Sequence, residues 1–263
     1  MLGAIVAATR QRVAESCAAR PAAGLDRLAR LVPPAIDLAA RLRRPGVQLI
    51  AEIKRRSPSR GDLRPDLVPA TLATAYADGG AAAISVLTEP DHFGGALGDL
   101  MAARIGLRLA GFSLPLLRKD FIIDPYQVVE ARAHGADAVL LIVAALAPAE
   151  LAALYAEARR WGMSAVVEVH DEAQLERALA VAPQIVGINS RNLHDLSVDL
   201  RVIERLRSLV PAGTLVVAES GIRSPEEVPA LRALGVDAML VGEALVCAAC
   251  PLEAARQLVE AGR

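Results

Sequence analysis

The chain has 263 residues, 54% hydrophobic but only 3% aromatic, with Lys+Arg 29 against Asp+Glu 30. That length suits one large α/β domain or two smaller ones, and an interior of Ala, Leu and Val suits many packed helices. A formal net charge of −1 argues against a nucleic-acid protein, which carries a basic excess, but leaves room for a local positive pocket for a small anion.

Residues Ala4 to Ala19 and Ala35 to Arg43 read as helices, with Pro21 and Pro33-Pro34 breaking the pattern between them. They precede the first strand and are expected to cap one end of the domain or to cover part of a site. The short N-terminal apolar run has its charges after it, which makes a poor signal peptide. The longest uncharged apolar stretch, Ala138 to Ala149, is too short to span a bilayer and closes on a Pro. A cytoplasmic protein with no membrane partner is expected.

From Val47 onward, short apolar runs alternate with turns and helical segments. The strand candidates are Gln48–Ile53, Ala82–Leu87, Leu114–Leu117, Ala138–Val143, Ala165–Val169, Ile185–Ile188, Thr214–Ala218 and Ala238–Val241. Helices are expected around Leu67–Asp78, Leu97–Leu109, Pro125–His134, Pro148–Trp161, Glu172–Val181, Asp199–Leu209, Pro225–Leu234 and Pro251–Ala261. Asp124-Pro125 and Ser224-Pro225 set a capping residue before a Pro at the first helical position. About eight strand–helix units predict a (β/α)8 TIM barrel with an N-terminal helical extension over residues 1–46, the whole chain forming a single domain. An open doubly wound sheet is the competitor, but no G-x-G-x-x-G follows the first strand.

A barrel enzyme keeps its chemistry at the C-terminal ends of its strands. The charges fall there. The first strand ends with Glu52 and Lys54, which share a face, and runs into Ser57-Pro58-Ser59-Arg60-Gly61. The third leads into Arg118-Lys119-Asp120-Phe121, and the fifth carries Glu168. The sixth ends near Asn189 and Arg191, the seventh at Glu219-Ser220-Gly221, and the eighth at Gly242-Glu243. So many charges at one rim exceed what structural ion pairs need. The glycine-containing ends of strands seven and eight match the usual barrel phosphate site, with Ser57 and Lys54 in reach from strand one. His170 is expected to start a helix or face solvent. No H-E-x-x-H, G-x-S-x-G or Walker A pattern occurs, and no Asp/Glu/His cluster requires a metal. Cys17, Cys247 and Cys250 give no disulfide framework, and Cys247-Ala-Ala-Cys250 lacks the second ligand pair of a zinc site.

The chain resembles the indole-3-glycerol phosphate synthases of tryptophan biosynthesis. The resemblance runs from about Leu49 to Ala261, on I-A-E-I-K-R-R-S-P-S-R-G (50–61), S-V-L-T-E-P (85–90), L-R-K-D-F-I-I-D-P-Y-Q (117–127), G-A-D-A-V-L-L-I (135–142), V-E-V-H (167–170), G-I-N-S-R-N-L (187–193) and A-E-S-G-I (218–222). It implies the phosphorylated small-molecule substrate 1-(2-carboxyphenylamino)-1-deoxyribulose 5-phosphate, ring closure with loss of carbon dioxide and water, and no metal or organic cofactor. Carried over by motif, Lys119 is the general acid, Glu52 tunes it, and Glu168 is the acid/base of dehydration. Lys54 binds substrate anions and is a second candidate donor, so which lysine serves which step stays open. Asn189 and Arg191 hold the substrate, and Glu219 contacts its sugar hydroxyls. Ser57, Ser220, Gly221, Gly242 and Glu243 form the phosphate site, Glu243 through its backbone N–H because its carboxylate would repel phosphate. Phe93, Phe121, Leu140, Leu193 and Leu240 form an apolar wall for the anthranilate ring. The turn after the first strand is expected to be phosphate neighbour and lid. The chain departs from the family pattern at Cys247-Ala-Ala-Cys250 and at Asp91-His92. A monomer, or failing that a dimer, is expected. The rivals are a Schiff-base lyase, an Amadori isomerase of the same pathway, and a non-catalytic barrel.

Overall fold

Eight short runs of β-branched and small apolar residues pair side by side as parallel strands. In the computed structural model, which describes residues 2–191 and 197–263, they are β1 (Gln48–Ile53), β2 (Ala83–Leu87), β3 (Leu116–Lys119), β4 (Ala138–Ile142), β5 (Ser164–Val169), β6 (Ile185–Asn189), β7 (Leu215–Glu219) and β8 (Ala238–Val241). Each bonds its chain neighbours, and β1 pairs with β8 from Gln48↔Ala238 to Ala51↔Val241, which closes the barrel. The architecture is the expected (β/α)8 barrel with an N-terminal helical extension.

Alternation along the strands separates two cores. Ile50, Ala83, Leu117, Leu140, Val166, Val217 and Leu240 point into the barrel. Leu49, Ile84, Leu116, Leu141, Val167 and Val216 point out against the helices. The strands are therefore buried on both faces, as their unalternating apolar sequences require. β3 begins two residues later than expected, because Pro115 has no N–H to give the ladder. This puts Lys119 on the strand itself. The helix expected at Pro225–Leu234 is divided into a 3₁₀ turn, Pro225–Glu227, and a helix, Val228–Ala233, with Pro229 in its first turn.

The N-terminal extension reaches both ends of the barrel. Its first helix, Leu2–Ala19, lies at the C-terminal rim. There Arg12 pairs with Asp91 and lies 3.5 Å from Glu89, and Tyr126 donates its hydroxyl to the Ser16 and Arg20 carbonyls. A second helix, Ala22–Leu31, was not expected. Pro21 precedes it, where a missing N–H costs nothing, and it packs on the helix Pro125–Ala133. The third, Leu38–Leu42, lies at the opposite end, with Leu38 and Leu42 among the inward core residues and Arg41 donating to the Ser113 carbonyl just before β3. The extension thus both caps the barrel floor and covers part of its mouth.

Candidate active site

At the C-terminal ends of the strands the inward positions change from apolar to charged, and a cavity of about 580 Å³ opens. Of the residues singled out from the sequence, Glu52, Lys54, Ser57, Phe93, Lys119, Phe121, Leu140, Glu168, Asn189, Arg191, Glu219, Ser220, Gly221, Leu240, Gly242 and Glu243 all line it. Leu193 lies outside the described residues. Ile5, Leu87, Arg60, Asp120, Arg223 and Cys247 line it as well. Arg60 was visible as the cation of the turn after β1. Nothing in the sequence marks Ile5, which the first helix delivers from outside the strand–helix repeat.

The centre of the site is one ammonium between two carboxylates. Lys119 Nζ donates to Glu168 Oε2 at 3.1 Å and lies 3.2 Å from Glu219 Oε2. Burial alone would lower the lysine's pKa. The charges of Glu168, Glu219 and Glu52 outweigh burial and hold it above the ordinary lysine value. The two carboxylates then divide. Burial pushes both up, but Lys119, His170 and hydrogen bonds from Lys119 and Asn189 bring Glu168 below the usual range. Glu219 keeps the burial penalty, adds repulsion from Glu168, and is pushed up to about 8. Neither Glu219 oxygen has a partner in good hydrogen-bond geometry. A carboxylate kept as base beside one kept as acid is the pattern of an acid–base site.

Neighbouring positions set this geometry. Asn189 Oδ1 accepts from the Arg191 N–H at 3.0 Å, which leaves its amide N–H groups for Glu168. Gly187, inward on β6, has no Cβ where one would collide with Glu219 Oε1. Gly242 makes the same room for Glu52 Oε2. Glu52 in turn holds Lys54 Nζ at 2.9 Å, so these two side chains share a face as alternation requires.

A second end of the cavity is built from loops. Ser57 opens a small hairpin, Arg56–Ser57 with Gly61–Asp62, which is the turn expected after β1. Ser220 adopts φ 67°, rare for a residue with a Cβ, and Gly221 follows at φ 82°. Ser190 holds this turn by donating to the Glu219 and Ser220 carbonyls. The Glu243 carboxylate pairs with Arg60 at 3.0 Å across the loops after β1 and β8. On the apolar side the Phe93 and Phe121 rings meet at 6.4 Å and 39°.

His170 stands at a helix start, just before the N-cap Asp171, as one of its two expected roles had it, but it does not face solvent as the other had it. Inward alternation from Ser164 through Val166 and Glu168 carries it toward the barrel, and its Nε2 is buried 3.4 Å from Glu168 Oε1.

Comparison with known proteins fits this geometry. The family model described as indole-3-glycerol phosphate synthase matches residues 2–258. The chain belongs to the indole-3-glycerol phosphate synthase family. It is 50% identical to indole-3-glycerol phosphate synthase 2 of Streptomyces coelicolor over 95% of both chains. It is 48% identical to the synthase of Saccharopolyspora erythraea over 100% of this chain and 96% of that one. Among solved structures, a thiamine phosphate pyrophosphorylase from Pyrococcus furiosus aligns at TM-score 0.62 and 19% identity, covering 86% of this chain and 97% of that one. A 3-hexulose-6-phosphate synthase aligns at 0.64 and 16%, covering 82% and 100%. Those two likenesses show the barrel alone; the synthase relatives carry the family.

Proposed function

We propose that Lys119, Glu168 and Glu219 divide the proton transfers of the family's reaction. As an indole-3-glycerol phosphate synthase, the chain closes the pyrrole ring of 1-(2-carboxyphenylamino)-1-deoxyribulose 5-phosphate with loss of carbon dioxide and water. Ring closure needs a proton delivered to a ketone oxygen as the aromatic carbon attacks. Lys119 is the donor, held charged by the acidic side chains around it, Glu168 foremost. The iminium charge left by closure draws electrons from the departing carboxylate. Dehydration then needs a base and an acid. Glu168, held as carboxylate, is the base, and Glu219, held protonated against the sugar hydroxyls, is the acid that gives the departing hydroxyl its proton so that it leaves as water. Glu52 holds Lys54 toward the substrate's anionic groups.

The observation that carries this reading is the placement of Lys119 Nζ between Glu168 and Glu219 inside the cavity. It also weighs against a Schiff-base lyase, since a nucleophilic lysine must lose its proton and this one is stabilised as the ammonium. The substrate phosphate belongs at the end lined by Ser57, Ser220, Gly221 and Gly242, which includes the left-handed turn at Ser220-Gly221. The anthranilate ring belongs against Phe93, Phe121, Leu140 and Leu240. The protein works in the cytoplasm as a single-domain monomer or, failing that, a dimer. Its three free cysteines suit a reducing compartment, and no helix among the described residues is long and apolar enough to cross a membrane.

Formation of indole-3-glycerol phosphate, followed by fluorescence, tests the activity. Lys119→Ala should remove turnover from a protein that still folds. Activity of that variant within a few-fold of the parent would overturn the assignment of the acid.

A further inference from the structure

The mouth of the barrel holds a titratable group that the proton transfers above do not use. His170 is the next inward residue after Glu168 on the same strand line, and it sits behind Glu168 rather than in the cavity lining. Its protonation pattern follows from its partners. Gln174 Nε2 donates to Asp171 Oδ2 at 2.7 Å, since a carboxylate only accepts. The Gln174 carbonyl oxygen therefore faces His170, where it takes the backbone N–H at 3.2 Å and lies 3.1 Å from Nδ1. An oxygen opposite Nδ1 demands a proton on Nδ1. In the neutral ring the lone pair then sits on Nε2, which is buried without a hydrogen bond 3.4 Å from Glu168 Oε1. Two acceptors facing each other leave a place for one proton between them. The other oxygen of Glu168 is already occupied by Lys119.

We propose that His170 is the proton partner of Glu168, a positioning residue that acts through it. This rests on Glu168 being the base of dehydration. When Glu168 removes a proton from the closed ring, the ring's bond to hydrogen breaks as an O–H forms on Oε1, and that O–H then breaks as an N–H forms on Nε2. The products are a carboxylate and an imidazolium, and after product release the proton returns through Glu168 to water in the emptied cavity. Glu168 is thereby restored as a base while still beside its substrate. The charged groups around the pair are Lys119 from β3, Glu219 from β7 and Glu52 from β1, with Asp171 behind Gln174. Asp171 and Gln174 fix the tautomer, and the three barrel residues lie on the substrate side.

The test is His170→Asn, whose side-chain amide still donates to Gln174 but has nothing at Nε2. We expect kcat to fall about tenfold with KM within about twofold, and the acid limb of the kcat–pH profile to move. In His170→Ala, added imidazole should restore part of kcat. Glu168→Gln is run beside them. If it is inactive while His170→Asn keeps the parent kcat and pH profile, the proposal is overturned and the role of Glu168 stands. A lowered kcat with an unmoved pH profile and no imidazole rescue means a structural role only, and also overturns it. If Glu168→Gln itself turns over within a few-fold of the parent, the underlying reading fails first.

Discussion

Arg118 and Lys119 are consecutive, both cationic and both largely buried, yet alternation along β3 sends them to opposite faces with opposite fates. Arg118 points out, under the helices. It donates to Asp120 Oδ2 at 2.9 Å, to Glu130 Oε2 at 2.9 Å and to the Gln127 carbonyl at 2.9 Å, and Thr88 donates to the same Asp120 oxygen at 2.5 Å. Lys119 points in, between two carboxylates of which one has no well-formed hydrogen bond. Buried charge that serves the fold is saturated with partners, because an unpaired polar atom there costs free energy. Buried charge that serves chemistry keeps open valences for the substrate to fill. The contrast separates two roles that composition and burial alone would merge.

The largest expected effects test that contrast directly by exchanging which property is lost. Lys119→Met should lower kcat by about 10²–10⁴-fold, the usual contribution of a general acid, with a smaller fall in stability than Arg118→Met causes. The stability cost is smaller than at Arg118 because, of the two carboxyl groups left behind, Glu219 already favours its neutral form and only Glu168 loses a charge partner. Arg118→Met leaves Asp120 and Glu130 buried without their cation, and should destabilise the fold by about 3–5 kcal/mol. Urea unfolding beside steady-state kinetics distinguishes the two. Similar stability losses in both variants would break the comparison.

A smaller effect is expected where nothing polar is changed. Gly187→Ala would set a methyl against Glu219 Oε1, and Val166 on the other side closes off retreat. Displacing one carboxylate of the centre by about 1 Å should cost about 10²-fold in kcat. Gly242→Ala would press on Glu52 in the same way. If Gly187→Ala retains full activity, Glu219 is not held where its chemistry needs it.

These glycines also show where a linear reading stops. The barrel was legible because each strand is a short apolar run closed by turn residues, and because charges recur at the same end of every run. Glu52, Lys119, Glu168 and Glu219 stood out as charges in apolar company, and the family motifs supplied their roles. Gly187 did not stand out, because its meaning is an absence of volume beside a side chain 32 positions away on the next strand. Ile5 was hidden because an irregular extension carries it to the rim. The inward placement of His170 was missed because alternation was followed only to the strand's end, although the inward face continues one residue further. The helix Ala22–Leu31 was missed because Pro21 was read as a breaker when it serves as a start.

Titration should expose the same division between the carboxylates more gently. Glu219 is pushed up to about 8 in the fold, against about 4.3 in the unfolded chain. The folded state therefore binds the extra proton between those values. Its contribution to stability is full below the unfolded value and is lost as pH rises through the folded one. Glu168 is shifted downward, so its contribution is present above the unfolded value and is lost on acidification. Glu219→Gln should accordingly remove part of the fall in melting temperature from about pH 5 to pH 8. An identical pH profile in the parent and the variant would show that Glu219 is ionised in the fold.

The smallest effect concerns a third kind of charge, neither saturated nor buried. Arg60 and Glu243 join the loops after β1 and β8 at 3.0 Å, with Arg60 mostly exposed and Glu243 partly so. A pair so solvated contributes only about 0–1 kcal/mol, so Arg60→Ala should leave the melting temperature nearly unchanged. Its effect should fall on substrate binding. Both residues line the cavity with Ser57, Ser220 and Gly242. An incoming phosphate dianion offers Arg60 a stronger partner than Glu243, and repels the Glu243 carboxylate outward. The cation that bridges the two loops then becomes the one that holds the substrate. Arg60→Ala should raise KM by about three- to tenfold with kcat preserved, the signature of an interaction made equally in the ground and transition states. Added salt should weaken substrate binding to the parent more than to the variant, since an exposed charge is screened within a Debye length of about 8–10 Å. If Arg60→Ala instead lowers kcat and leaves KM alone, Arg60 belongs with Lys119 in the chemistry rather than at the phosphate.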